Sequence, residues 1–360
     1  MNISVLHIVV AKNWGGGEQY VYNICREMRS RGIDSYVAVD SSNVIFQKKF
    51  SETAAVFKTN LYFAAGIMSI SELAGFIDRK NIKIVNCHSG HALLLCLILK
   101  QMTGVKVIMY KHNALPGKND IYHRWQRKKT DAFVCVSNLV YNLQTAGLSQ
   151  KDKEKYHLIY NGIDCELLNK GNDNKKDGEN FSIGYAGRIA SDKGIEILIE
   201  AFGRLKSKYS DIKLYLAGSD EKGYLSVINN LIETNKIFQD CIYLGKLDDM
   251  EEFYKSLDVL VLPSVVREAF GLVICEALYC GIPVITTDSG AQQEIITDET
   301  LGIIVKRGNE DELFAALEKV YLERNNSLKL VDYRKNYIEK NFNISICVDN
   351  LLNLYRKIIY

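Results

Sequence analysis

The 360-residue chain is short of several things that would each settle its class. No apolar run approaches the ~20 residues a membrane-spanning helix needs. The longest, ALLLCLIL from Ala92 to Leu99, reads as a buried helix. The start, MNISVLHIVV, has neither a basic stretch nor a small-residue cleavage site, so no secretion signal is expected. The nine cysteines form no C-x-x-C pair, and Cys87, Cys96, Cys135 and Cys275 sit in apolar runs. That pattern argues against zinc ribbons and disulfide frameworks and for reduced, buried thiols in a cytoplasmic protein. No two aspartates stand two positions apart, and there is no H-x-x-x-H or Cys/His cluster. No catalytic metal and no cofactor are therefore expected.

What is present suits a globular protein. Apolar residues make up 47% and charged residues 24%, enough for two cores and against global disorder. Net charge is only +2, but it is unevenly spread. Residues 1–165 carry 21 Lys+Arg against 12 Asp+Glu, and the remainder carries 24 against 31. A basic front and an acidic back suggest different partners, although drift in surface charge would look the same.

Short apolar strands alternate with helical patterns through both halves. In the front half the strand candidates are Ile3–Val10, Ser35–Val39, Ile84–Cys87, Lys106–Tyr110, Ala132–Val136 and His157–Tyr160, with helical stretches such as Gln19–Ser30 and His91–Met102 between them. The polar stretch NKGNDNKKDGEN, Asn169 to Asn180, reads as an interdomain loop. In the back half they are Phe181–Tyr185, Lys213–Ala217, Cys241–Leu244, Val259–Leu262, Val284–Thr286 and Ile303–Val305. Helical patterns there include Ile195–Tyr209 and Glu310–Arg324, and Ser345–Tyr360 adds one more. Continuous Val/Ile runs between helices indicate parallel sheets covered on both faces. The expected architecture is α/β with two Rossmann-like, doubly wound domains facing across a cleft: residues 1–165 completed by a helix at 345–360, a linker at 166–180, and residues 181–344. In such sheets ligands bind beyond the carboxyl ends of the strands.

Five stretches fall at such places. In AKNWGGGEQYVYNI, Gly15, Gly16 and Gly17 separate a strand from a helix and let backbone amides approach an anion or a sugar, or simply make a tight turn. It is not G-x-G-x-x-G, because Tyr20 takes the third glycine's place, and it lacks the G-K-[ST] of a P-loop. In GYAGRIASDKGIEILIEAF, Arg188 and Lys193 flank a turn at a strand end, where two cations can grip a diphosphate or remain solvated. In PSVVREAFGLVICEAL, Glu268 and Glu276 stand eight apart around a glycine turn: an acid/base pair, metal ligands, or hydroxyl acceptors. The amides of Gly271, Leu272 and Val273 open a helix there and can hold a phosphate. Glu276, a turn further in, can accept paired hydroxyls as a carboxylate does from a ribose. In VIMYKHNALPG, His112 follows a strand and can bond a substrate, share a proton, or be structural; His88 is similarly placed. Finally, NDIYHRWQRKKTDAF mixes Arg124, Arg127, Lys128 and Lys129 with Tyr122 and Trp125, which suits an anionic membrane surface, an anionic acceptor, or a solvated helix face.

Taken together, these motifs resemble the retaining glycosyltransferases of family 4, the "group 1" enzymes of GT-B fold, over nearly the whole chain. The resemblance rests on the glycine loop GGGEQYVYNICREMRSRG, on IYNGID (Ile159 to Asp164), and on GRIASDKG against a G-R-x-x-x-x-K-G pattern. It continues through PSVVREAFGLVICEAL against E-x7-E, then GIPVITTDSGAQQEII and GIIV. Six motifs in order are a specific signal. Two positions depart: Ala269 stands where the family commonly has glycine, and Tyr160 where it commonly has proline. Alanine resists positive φ, so Ala269 should tighten the backbone requirement there.

The resemblance implies transfer of a sugar, with configuration retained, from a UDP- or GDP-linked donor to a glycan or lipid-linked acceptor in surface-polysaccharide synthesis. Arg188 and Lys193 should hold the diphosphate and Glu276 the ribose. Glu268 should contact the transferred sugar, whose pocket Phe270, Gly271 and Leu272 line by backbone. His112 should stand where sugar and acceptor meet, with Gly16 and Gly17 at the donor phosphate or acceptor; His112 and Glu268 are the catalytic candidates. Nucleic acid is not an expected partner. The expected location is cytoplasmic, peripheral at the inner face of the membrane. Two other readings use the same residues: a nucleotide-sugar epimerase of GT-B fold, and a non-catalytic nucleotide-sugar-binding protein.

Overall fold

The computed structural model describes residues 3–61, 66–169 and 180–360. The chain divides into two compact units, Met1–Ile163 with Ile344–Tyr360, and Asp164–Asn343. Most of the linker read at 166–180 lies at 170–179, outside the described residues.

The first unit is built on strands β1 (Val5–Val9), β2 (Ser35–Asp40), β3 (Ala55–Thr59), β4 (Ile84–Cys87), β5 (Lys106–Lys111), β6 (Ala132–Cys135) and β7 (Tyr156–Leu158). They form one sheet in the order β3-β2-β1-β4-β5-β6-β7, every pair parallel. All five residues of β1 are buried, as are all four of β4 and of β6. This is why these segments read as continuous apolar runs rather than alternating ones. Strand β3 was not expected. It is an edge strand with two of its five residues exposed, and the segment AVFKT carries only a short apolar run before Lys58.

The second unit holds β8 (Phe181–Ala186), β9 (Ile212–Ala217), β10 (Cys241–Gly245), β11 (Val259–Leu262), β12 (Val284–Thr287) and β13 (Gly302–Val305) in the order β10-β9-β8-β11-β12-β13, again all parallel. In both sheets the order reverses beside the first strand of the unit, which is the doubly wound arrangement and its ligand-binding switch point.

The helix Ile344–Ile359 packs in the first unit. Six of its buried residues, Ile344, Cys347, Val348, Leu351, Leu352 and Tyr355, recur at helical spacing, and Leu354 is buried beside them. Each fully buried apolar side chain of this kind contributes about 1.5–3 kcal/mol. Polar ties fix its register. Asn86 Nδ2 donates to Tyr355 Oη at 2.6 Å, and Arg31 pairs with Asp349 at 2.5 Å. Tyr20, in the helix Gly16–Ser30, is fully buried with its hydroxyl 3.4 Å from Cys347 Sγ. The residue that breaks the dinucleotide glycine pattern is therefore a packing residue between the two helices.

All nine cysteines carry free thiols; eight are buried and Cys280 is half-buried. Among the described residues no helix is long and apolar enough to cross a membrane.

Candidate active site

In the second unit, two loops meet beyond the adjacent strands β8 and β11. The loop after β8 ends in a short 3₁₀ turn, Ser191–Lys193, and then Gly194 at φ +67°. A Cβ on Gly194 would lie 2.2 Å from the Pro263 carbonyl oxygen. Only glycine permits both that φ and that approach. The Val265 amide donates to Asp192 O at 3.2 Å, completing the join. The join delivers Lys193 to Glu268: Nζ stands 2.5 Å from Oε1, which also accepts the Ser264 hydroxyl at 2.5 Å. The Lys193 and Glu268 side chains are 14% and 17% exposed, so the pair is largely withdrawn from water. Behind it Gly290 lets the chain close. A Cβ there would be 2.3 Å from Glu268 O, and the Ala291 amide donates to that same oxygen at 2.9 Å.

Arg188 is placed differently. Its guanidinium is engaged by Asp192 at 3.0 Å and by Glu221, and its side chain is 43% exposed. It does not touch Lys193 or Glu268.

The helix Leu272–Tyr279 follows Gly271, whose φ of +111° needs glycine. The positive-φ residues other than glycine, among the described residues, are Asn81, Lys222 and Lys236. Ala269 is thus in an ordinary conformation, and the positive φ falls on Gly271, which takes it without strain. The amides of Gly271, Leu272 and Val273 donate to no protein atom among the described residues, as the first turn of a helix requires. Phe270 and Leu272 are buried, Phe270 edge-on to Phe342 at 5.7 Å. Glu276 is half-buried and accepts the Tyr254 hydroxyl at 2.7 Å. Burial raises its carboxyl above the ordinary value, and the Tyr254 bond offsets part of that.

In the first unit, the glycine loop and His112 come together. A Cβ on Gly17 would lie 3.9 Å from His112 Cγ. Gly15 donates its amide to Glu18 Oε2 at 2.9 Å, so Glu18 closes the first turn of the helix that Gly16 and Gly17 begin. Burial raises the Glu18 carboxyl. Tyr20 meets the His112 ring edge-on at 5.5 Å. His112 is also bonded to His88, and His88 to His7, a chain of three imidazoles. A surface groove of about 620 Å³ on the same unit, lined by residues such as Tyr141, His157 and Asn353, contains none of these side chains.

The basic helix Ile121–Lys129 needs one correction. Arg127 is buried, 6% exposed, with its guanidinium on Asn119 Oδ1 at 2.8 Å and Lys118 O at 3.4 Å. It anchors the preceding loop and is not part of a surface. Arg124, Trp125, Lys128 and Lys129 are exposed, as are Ile121 and Tyr122.

Several neighbours of these residues carried no sequence signal. Tyr254 lies 22 positions before Glu276, and Glu221 lies 33 after Arg188. Ser264 sits inside a quoted motif but is one hydroxyl among many. His7 could have been noticed as the single ionisable residue inside the apolar run of β1.

Two doubly wound units, a lysine–glutamate pair at one switch point and a histidine beside a glycine loop at the other define a GT-B protein. Both halves match known families: "Glyco_transf_4: Glycosyltransferase Family 4" over residues 14–167 and "Glycosyl transferases group 1" over 169–341. The chain belongs to the group 1, family 4 glycosyltransferases. It is 29% identical over 239 residues to the capsular polysaccharide biosynthesis glycosyltransferase CapM of Staphylococcus aureus, covering 63% of this chain and 61% of that one. The match thus spans less than two thirds of that relative's length. A glycosyltransferase from Rickettsia africae superposes with a TM-score of 0.88 at 19% identity, covering 99% of each chain. Anabaena HepE, solved in complex with UDP-glucose, superposes at 0.84 and 18% identity over 99% of this chain and 100% of that one. These two likenesses establish the fold.

Proposed function

We propose that the protein transfers a hexose or N-acetylhexosamine from a nucleotide diphosphate sugar to a glycan or lipid-linked acceptor in surface-polysaccharide synthesis, with anomeric configuration retained and without a metal. The observation that carries this reading is the Lys193–Glu268 pair joined to a helix start with free amides. Lys193, Arg188 and the amides of Gly271–Val273 neutralise the diphosphate as it leaves, which is electrostatic preorganisation. Glu276 takes the ribose hydroxyls and Glu268 a hydroxyl of the transferred sugar. Glu268 is assigned to hydroxyl binding and not to nucleophilic attack; its Oε1 is held by an ammonium and a hydroxyl at 2.5 Å each. The leaving phosphate takes the acceptor proton instead. HepE's complex with UDP-glucose and CapM's role in capsular polysaccharide synthesis favour a UDP-linked donor and a surface glycan.

Thermal shift against UDP-glucose, UDP-N-acetylglucosamine and a GDP-hexose tests the class, since a ligand of the folded state raises stability with occupancy. No shift with any of them, or a new free nucleotide sugar formed without acceptor, overturns it. Glu276→Ala should weaken donor binding about 10- to 100-fold, as loss of charge-assisted hydrogen bonds does.

The pH dependence follows from the raised Glu276 carboxyl. A raised folded value favours folding below the ordinary pKa of 4.5, and that stability is lost as pH rises through the folded value. Donor binding runs the other way, because ribose hydroxyls donate to the carboxylate. Titration calorimetry should show donor affinity falling on acidification at a higher pH than an exposed glutamate would give. Glu276→Gln should flatten the profile. An unchanged profile removes Glu276 from the ribose site.

We also propose that the helix Ile121–Lys129 meets an anionic membrane carrying the acceptor. Ile121, Tyr122 and Trp125 are 79%, 49% and 40% exposed beside Arg124, Lys128 and Lys129. Each basic residue near an anionic surface adds about 1 kcal/mol. Flotation should show binding to phosphatidylserine-containing vesicles and not to neutral ones, weakened by Arg124→Glu with Lys128→Glu. Equal recovery with both vesicle types sinks the idea.

A further inference from the structure

Three adjacent strands of the first sheet each contribute one imidazole to a single line. His7 is in the middle of β1, His88 is one residue past β4, and His112 is one past β5. His7 Nδ1 is 2.9 Å from His88 Nε2, and His88 Nδ1 is 3.0 Å from His112 Nε2. Successive ring planes are nearly parallel, at 18° and 22°. Tyr110 covers the line, 4.3 Å from the His88 ring and 5.8 Å from that of His112, while Tyr20 stands at the His112 edge. Neither tyrosine donates to the line. Tyr20 Oη lies against Cys347 and Tyr110 Oη against Tyr355.

Each of the two hydrogen bonds needs one donor and one acceptor. Burial lowers His7 to about 3 and His112 to about 4; burial and its two neighbours hold His88 well below its ordinary value. At neutral pH each ring therefore carries one proton, and the line runs in one of two directions. The far end decides which. His7 is fully buried and its Nε2 has no hydrogen-bond partner among the described residues. Orphaned buried N–H groups are rarer in folded proteins than under-satisfied acceptors. His7 accordingly keeps its proton on Nδ1 and donates to His88 Nε2. His88 must then hold its proton on Nδ1 and donate to His112 Nε2. His112 is left with its proton on Nδ1, the nitrogen to which no protein atom bonds among the described residues.

We infer that His7 and His88 are positioning residues that lock His112 as its Nδ1–H tautomer, so that it offers the sugar beside Gly17 a hydrogen-bond donor and not a base. The line is not a proton conduit, because its far end stops in the core. That His112 faces the sugar rests on the proposed transferase reading; the tautomer does not.

Long-range ¹H–¹⁵N spectra of the histidine-labelled full chain read the tautomers directly. The wild type should show the Nδ1–H form at His112, and an Nε2–H or charged ring at neutral pH overturns the inference with no variant needed. In His88→Leu the His112 ring should move toward the Nε2–H form preferred by a free histidine side chain. In His88→Asn, whose amide stands where Nδ1 stood, it should keep Nδ1–H. An unchanged His112 in His88→Leu also overturns it. With a working donor, His88→Leu should lower kcat about 10- to 100-fold, the cost of losing a partner that orients a metal-bound histidine. Donor KM should change less than kcat, and His88→Asn should recover most of the loss. A wild type that transfers no sugar refutes the transferase reading and leaves the tautomer result standing.

Discussion

Lys193→Met should lower kcat for sugar transfer by about 10²–10³-fold, the range seen when one preorganised group facing developing charge is removed. Two consequences of the substitution reinforce each other. The leaving diphosphate loses an ammonium, and Glu268 loses the cation that holds its Oε1, keeping only the Ser264 hydroxyl. A carboxylate released in this way repels the diphosphate it had stood beside. Lys193→Arg restores charge but not a compact ammonium, so it should recover only part of the activity. Glu268→Gln should also be impaired, and the double variant Lys193→Met/Glu268→Gln should lose far less than the two separate losses combined, as contacting residues do. Steady-state kinetics of the four variants beside the wild type decide the matter. A Lys193→Met enzyme within threefold of the wild type removes Lys193 from the site.

Gly194→Ala should be damaging for a different reason. The new methyl would have to stand 2.2 Å from the Pro263 carbonyl oxygen, at a φ of +67° that alanine resists. The conformational part costs about 1–2 kcal/mol and the overpacking about 1–3 kcal/mol. Because the glycine joins the β8 and β11 loops, relief of the clash moves Lys193 away from Glu268. Tm and kcat should therefore fall together. Gly308→Ala makes a useful control: its φ is +75°, but nothing lies within 4 Å of its added Cβ. It should show the conformational cost alone and leave kcat unchanged. Equal losses in the two variants would mean that the β8–β11 join contributes nothing beyond the glycine conformation.

These experiments test chemistry that the two halves of the chain disclosed to different degrees. The strands β4 and β11 lie at the residues their apolar runs marked, and the helix Leu272–Tyr279 begins and ends as its pattern implied. The edge strand β3 escaped notice because an edge is partly exposed and its apolar run is short. Among the site residues, Lys193, Glu268 and Glu276 stood out because they interrupt loops and helices beside glycine turns. Arg127 misled: its neighbours Arg124 and Lys128 are exposed, yet its own guanidinium turns inward to Asn119. Charge at helical spacing does not say which member of a run points at solvent.

What the sequence determined by itself is local. Continuous apolar runs separated by amphipathic ones dictate parallel sheets covered by helices, because a strand buried on both faces can carry no alternation. Glycines at strand ends mark where the backbone turns tightly enough to meet a ligand. What only the tertiary structure decided is which polar groups became partners. Lys193 meets Glu268 across 75 residues, Tyr254 meets Glu276 across 22, and His7, His88 and His112 align over separations of 81 and 24. Those meetings depend on strand order, since β8 lies against β11, and β4 between β1 and β5. A hydrogen bond forms only within about 3 Å, so contacts between distant residues exist only after the sheet has fixed where each strand ends.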